Sequence, residues 1–366
     1  MRLRATSLRS IPILTSVTIA VIAAALMFTV AGSSSSLAQK QPKVPPAQQG
    51  QGIVRSEVNL VPVYFTVRDD KRALITNLPR EQFRVFEDGK EQPIDAFGHE
   101  SDVPLSLGVI LDTSTRLATL LGAEADAANM FLTQVVRPND LAFILSFDVR
   151  VNFIQEPSQE LAALSKSVFS IMKDAKLGPP SNWNDIGPTA TGVNPPRMPS
   201  PEKMIREAHM FDAVGVGVNR YLAHEVGRKA IVILALADDA RSETTMEQAL
   251  RELQETNVIA YVLEFEHAAG DDCDVMHIFQ SEGPHNASRL AEETGGRVIK
   301  VKGREKLRSA FAEIAEELHS QYYLGYYMPN PVRDSRFHKI EIRTKARAYR
   351  VQARRGYYAA PPAAEQ

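Results

Sequence analysis

His267, Cys273, His277 and His285 fall in one short stretch together with Asp271, Asp272 and Asp274. Imidazole, thiolate and carboxylate suit a transition metal, and Cys273 and His277 stand one helical turn apart. The remaining spacing is loose, so the stretch reads as a solvated acidic loop rather than a site. His224-Glu225 begins as H-E-x-x-H does, yet Arg228 occupies the place of the second histidine, so a zinc pair on one helix face is not formed and the two mark a surface helix end. Gly215-Val-Gly217 falls within or after a helical run and lacks the third glycine of a dinucleotide turn. No G-x-S-x-G elbow occurs, so a hydrolase of that type has no nucleophile turn. Asn286-Ala-Ser288 is a glycosylation sequon by pattern only. With no assembled nucleophile or acid and base set, the chain is expected not to be an enzyme. What remains is a corner, Asp112-Thr-Ser-Thr-Arg116, which follows directly on an apolar run.

That corner needs elements to position it. From Pro104 onward, apolar runs at 105–111, 141–147, 230–236, 258–263 and 297–301 alternate with helical patterns at 117–135, 159–172, 205–222, 245–255, 287–293 and 304–319. Runs apolar throughout their length, separated by helices, are how a parallel sheet covered on both faces reads. A short antiparallel edge strand is expected at 151–154, and one long loop rich in Pro, Gly, Asn and Ser at 176–201. The flanks have another character. Alternating β-prone residues fill 58–67 and 83–89, the latter ending in Asp88-Gly89, a good hairpin turn. Similar runs recur at 322–327, 339–343 and 349–353. Isolated hairpins are marginal in water, so the two flanks are expected to pair as one discontinuous antiparallel β subdomain. The fold class is therefore α/β, a Rossmann-like open and mostly parallel sheet with helices on both faces, carrying that small β subdomain. The expected divisions are an N-terminal β segment at 53–100, the α/β domain at 104–320, a C-terminal β segment at 321–358 and a frayed tail at 359–366.

Arg2, Arg4 and Arg9 precede an apolar run over 11–30, and Ser36-Leu37-Ala38 supplies small residues before a cut at Ala38/Gln39. Segment 1–38 is thus a secretory signal or, since the run is long enough to cross a bilayer, an uncleaved N-terminal anchor. Either way the remainder is expected outside the cytoplasm, in the periplasm, the medium or the cell envelope. Residues 39–52, mostly Gln, Lys, Pro and Gly, read as a disordered linker. Cys273 is the single cysteine, which rules out an intrachain disulfide. With 42 basic and 44 acidic residues the formal net charge is −2, so a nucleic-acid partner has no electrostatic support.

The corner Asp112-Thr-Ser-Thr-Arg116 resembles the D-x-S-x-S turn that opens a von Willebrand factor A domain. Asn139-Asp140, Phe147-Asp148 and Arg228-Lys229 follow in matching order. Three further blocks, Phe83-Arg-Val-Phe-Glu-Asp-Gly-Lys-Glu-Gln92, Gln321-Tyr-Tyr-Leu-Gly-Tyr326 and Ala353-Arg-Arg-Gly-Tyr357, are similar to those of the secreted bacterial VWFA-related branch. The resemblance spans about 54–358. It implies a ligand site at the carboxyl ends of the strands, with the switch point near Asp112. It also implies a magnesium-type cation held by oxygens of an Asp and two Ser, a Thr and a second Asp.

Residue by residue, that ligand set is incomplete. Asp112 and Ser114 keep the first two positions, but Arg116 replaces the second serine, and a fixed cation there repels the metal. Glu207-Ala-His-Met-Phe-Asp-Ala213 aligns with the second loop and puts Ala208 at the threonine. Ala235-Leu236-Ala237 aligns with the third and puts Leu236 at the aspartate, with Asp238 and Asp239 close behind. Two oxygens rarely hold magnesium, so no metal and no cofactor are expected, unless a two-residue shift of register makes Asp238 a ligand. Arg116 either pairs with Asp112 in the cation's place or points into solvent at a vestigial site. The reading is an exported, non-enzymatic protein-binding or adhesion module with a degenerate metal-ion-dependent adhesion site formed by Asp112, Ser114, Arg116 and Asp239. The alternative is a structural envelope assembly protein that binds through its β subdomain. The partner is a protein, and a membrane enters only through an uncleaved anchor. The tyrosines Tyr322, Tyr323, Tyr326 and Tyr327 alternate in a strand and are expected to cover the joint between the α/β domain and the β subdomain rather than to bind a partner.

Overall fold

The computed structural model describes residues 60–99, 103–113, 121–148, 150–175, 209–235, 239, 242–265, 283–328 and 334–359. All of them lie within the compact unit Glu57–Gln366. The expected signal or anchor, the linker, the loop at 176–201 and the last residues of the tail fall outside them.

Strands β5 (Leu105–Asp112), β6 (Leu141–Phe147), β7 (Val151–Ser158), β8 (Arg228–Ala235), β9 (Val258–Phe265) and β10 (Val298–Val301) form one sheet in the order β10-β9-β8-β5-β6-β7. Every neighbouring pair is parallel except β6 with the edge strand β7. The edge strand is thus where the sequence places it, though longer. All eight residues of β5 are buried, as a strand covered on both faces requires. Leu105, Leu107, Val109 and Leu111 join one core with α1 (Leu121–Val135), α2 (Leu161–Ala175) and α6 (Gly303–His319). Ile110 points the other way, into a second core with α3 (Met210–Gly217, continued as a wide turn to Leu222), α4 (Met246–Thr256) and α5 (Gly283–Thr294). Period-two alternation therefore splits the sheet's apolar surface between three of the described helices on each face. Gly108, also on the second face, is a close-approach glycine: a Cβ there would meet the Phe143 ring at 2.5 Å.

The flanks do pair, as two sheets rather than one. β1 (Leu60–Arg68), β4 (Ala96–His99), β11 (Tyr322–Tyr327) and β13 (Arg350–Ala353) run in the order β13-β1-β11-β4. β2 (Phe83–Glu87), β3 (Lys90–Gln92), β12 (Phe337–Thr344) and β14 (Gly356–Tyr358) run in the order β14-β12-β2-β3. Their facing residues, among them Val63, Phe65, Phe83, Val85, Tyr322, Tyr326, Ile340 and Ile342, share a separate core. The hairpin of β2 and β3 turns at Asp88 (φ 47°) and Gly89 (φ 80°), and positive φ at both central residues is the primed turn that matches strand twist.

The tyrosine expectation needs correcting in part. Tyr322 and Tyr326 have 0% exposure and lie in the core of the β sandwich, not at the joint. Tyr323, on the opposite face of β11, stacks obliquely on Tyr64 at 5.4 Å, and Tyr64 packs against the first core of the parallel sheet. The joint is further held by Glu317 of α6, fully buried, which accepts from Arg68 of β1 at 2.5 Å and from Arg297 before β10.

Candidate functional site

From β5 the chain moves to β6 and the edge β7, then crosses back to β8 on the other side of β5 and continues outward to β9 and β10. The direction reverses between β5 and β8. In an open α/β sheet a ligand crevice is expected outside the carboxyl ends at such a reversal. Asp112 closes β5 at that point, opposite Phe147, with 2% exposure. The chain leaves it under restraint, because the Thr113 N–H donates to Phe147 O at 2.8 Å and its hydroxyl donates to the same oxygen at 3.2 Å.

Ser114, Arg116, Ala208, Leu236 and Asp238 lie outside the described residues, as do the side chains of the His267, Cys273, His277 and His285 stretch. Asp239 is described, and its carboxylate serves the backbone. It accepts from the Phe211 N–H and the Ser242 N–H, each at 3.2 Å, and from the Ser242 hydroxyl at 2.6 Å. Burial raises its pKa against the lowering effect of those bonds. Asp212 reciprocates, accepting from the Thr244 N–H at 2.8 Å and the Glu243 N–H at 3.1 Å, with His209 Nδ1 at 3.0 Å. The two aspartates clasp the start of α3 to the turn before α4. Gly215 and Gly217 belong to α3 and pack against Glu252 and Phe143, as helix-packing glycines. His224 is exposed, whereas Arg228 is buried and donates to Leu318 O at 2.9 Å and Gln321 Oε1 at 3.3 Å.

Sequence reasoning missed Glu124. It sits in the first turn of α1 with 1% exposure, and neither carboxylate oxygen has a hydrogen-bond partner. Burial first, and the negative charge of Asp112 second, push its carboxyl well above the usual carboxylate range. The signal was in the spacing. Glu124, Ala128, Phe131 and Val135 follow at intervals of four, three and four residues, which places an acid on the apolar stripe of the helix. A carboxyl held toward its neutral form is a weak ligand for a hard divalent ion, so Glu124 itself is no candidate to hold one. Of the positions that would hold the cation in the resembling family, Asp112 alone is among the described residues.

A second acidic cluster lies in the β sandwich. Glu87, Asp88 and His338 each bring one ligand-capable atom within 4.8 Å of the others. These atoms are already engaged: His338 Nδ1 meets Asp88 at 2.8 Å and Nε2 meets Asp334 at 3.3 Å, while Tyr326 and Tyr357 donate to Glu87 at 2.5 and 3.3 Å. Burial alone would lower the pKa of His338, but the bonds and charges of Asp88 and Asp334 outweigh it and raise it. The cluster reads as a charged clasp between β2 and β12.

No known family profile matches the chain, and no curated protein matches it. Solved structures do align. BatB from Bacteroides thetaiotaomicron, described as a conserved hypothetical protein, is 12% identical over 58% of this chain and 97% of its own, with a TM-score of 0.39. A von Willebrand factor type A protein from Catenulispora acidiphila is 10% identical over 84% of this chain and 75% of its own, with a TM-score of 0.41. Proximal thread matrix protein 1 from the mussel byssus, with a zinc-occupied MIDAS motif, is 10% identical over 64% of this chain and 50% of its own, with a TM-score of 0.43. This chain thus spans about half the length of the mussel protein. Such distant likeness adds nothing on ligands or partners. The strand order, with β5 central, one antiparallel edge and Asp112 at the point of reversal, makes the α/β layer a Rossmann-like open, mostly parallel sheet, consistent with the resemblance to von Willebrand factor A domains.

Proposed function

We propose that this chain is an exported, non-enzymatic protein-binding module of the von Willebrand factor A type, which engages its partner at the carboxyl edge of the parallel sheet without a resident metal. The observation that carries the reading is the placement of Asp112 at the carboxyl end of the central strand, where the sheet reverses direction. The substitutions at Arg116, Ala208 and Leu236 bear on how the site works, since they remove three of the oxygens that the resembling family uses. Arg116 takes over the task of gripping a partner carboxylate, two N–H donors to two oxygens, where the family uses a cation. The basic and apolar start of the chain supports export, with or without retention at the membrane. No helix among the described residues is long and apolar enough to cross a membrane.

The test immobilises the full chain and its Arg116→Glu variant and presents both with the envelope proteins of the producing cell. Proteins retained by the wild type and reduced about tenfold or more on the variant support recognition at the corner, a loss of roughly 1.4 kcal/mol or more. Equal retention by both would move recognition to the β sandwich and make the chain a structural envelope component. Turnover of a hydrolytic substrate, lost on Asp112→Asn, would contradict the non-enzymatic reading.

A further inference from the structure

Residues 297–308 read Arg-Val-Ile-Lys-Val-Lys-Gly-Arg-Glu-Lys-Leu-Arg, six basic residues against one acid in a chain whose net charge is −2. The stretch builds β10 and the first turns of α6, at the edge of the parallel sheet opposite β7. β10 pairs with β9 on one side, and among the described residues nothing pairs with its outer edge. Beside that edge runs a groove of about 270 Å³, with Ile299, Lys300 and Lys302 on one wall and Lys306, Ala310 and Glu313 of α6 on the other. The three α6 residues are spaced by four and three, so they share one helix face.

The groove has an apolar floor and a basic rim. Half-buried Ile299 packs against the first core, which Ala310 joins at 2% exposure, whereas Lys300, Lys302 and Lys306 are exposed. Of the described acids around it, Glu313 and Glu317 are bonded to Arg297. Glu264, opposite Lys300 in the β9 register, and Glu305 remain, and against Lys300, Lys302, Lys306 and Arg308 they leave an excess of positive charge. A sheet edge offers main-chain donors and acceptors to an extended chain, whose alternate side chains fall on opposite faces. Lysines along such an edge repel a basic newcomer and discourage a neutral one. An acidic strand turns the same lysines into an attraction. A nucleic acid would use the charge but neither the strand edge nor the apolar floor.

We propose that the outer edge of β10 and the groove beside α6 take an extended acidic segment of a partner protein as an added strand. Apolar side chains of the segment rest on Ile299 and Ala310, and its carboxylates meet Lys300, Lys302 and Lys306. Strands β9 and β8 separate this edge from β5, so the contact is distinct from the corner at Asp112 and does not rest on recognition there.

The experiment follows the fluorescence anisotropy of a fluorescein-labelled peptide of alternating aspartate and valine, titrated with the full chain in neutral detergent. The expected result is saturable binding that weakens with added salt and falls about tenfold or more in the Lys302→Glu, Lys306→Glu double variant, whose changes lie on the surface. A peptide with lysine at each aspartate should not bind, and one with proline at the central valine should bind about tenfold more weakly, because proline lacks the N–H that a ladder needs. Hydrogen exchange at residues 298–301 should slow when the acidic peptide is bound. Arg116→Glu should leave peptide binding unchanged, which separates this edge from the corner. No saturable binding by the wild type would leave the lysines as guards of the edge and overturn the proposal. Undiminished binding by the double variant or of the proline peptide would overturn it too, as would a single-stranded oligonucleotide that binds more tightly than the peptide.

Discussion

Glu124 is buried, unpaired and next to another acid, so its energetic effect reverses with pH. A carboxyl whose folded pKa is raised contributes stability that is complete below its unfolded value, about 4.3, and is lost as pH rises toward the folded value. Urea unfolding across a pH series should therefore show wild-type stability falling above about pH 4.3, and Glu124→Gln should flatten that fall and be the more stable protein at neutral pH. A variant less stable at every pH would mean that the carboxylate is usefully paired. His338 is a base whose pKa is also raised, so its effect has the same sign in a higher window. Its raised pKa contributes stability present below about 6.5 and lost as pH rises through the folded value. His338→Gln should cost about 1–2 kcal/mol at pH 6 and less at pH 8, measured by chemical denaturation. At this scale the sequence revealed the corner better than its surroundings. Asp112 was legible because it follows an unbroken apolar run, but Glu124 looked like an ordinary polar residue in a helix until its spacing was set against the core. Asp239 was legible as an acid near the corner, whereas its engagement with the backbone at the start of α3 depends on a contact 28 residues away in sequence.

Elements were more legible where local chemistry and tertiary packing agree. Thr245 and Gln248 form a capping box that starts α4, and Asn257 ends it in the left-handed region, so its bounds differ little from the sequence pattern. Asp88-Gly89 fixes its hairpin in the same way, and Gly89→Ala should cost about 1 kcal/mol through its positive φ. What local pattern does not carry is how strands from distant parts of the chain divide into sheets. β1 pairs with β11 and β13, β2 with β12, and no spacing in either flank distinguishes two facing sheets from one. The salt links of Glu317 are equally non-local, joining α6 to β1 and to the start of β10. Removing this fully buried acid takes the carboxylate partner from Arg68 and leaves Arg297 with Glu313 alone, so Glu317→Ala should lose about 3 kcal/mol in denaturant unfolding. A loss under about 1 kcal/mol would show that the pairing is only superficial.

At the scale of the molecule, an open parallel sheet that reverses direction at Asp112 carries a β sandwich assembled from the residues before and after it. Both ends of the chain are needed to build that sandwich, so the α/β layer is enclosed between segments that must find each other. The central claim concerns the edge itself: that binding there does not need the cation used by the family it resembles. The most direct measurement is calorimetric titration of the full chain with magnesium, manganese and calcium, beside a variant carrying Arg116→Ser, Ala208→Thr and Leu236→Asp. If the corner is metal-free, only the variant binds an ion and gains thermal stability from it. Micromolar binding by the wild type would contradict this and make the chain an ordinary metal-dependent adhesive domain.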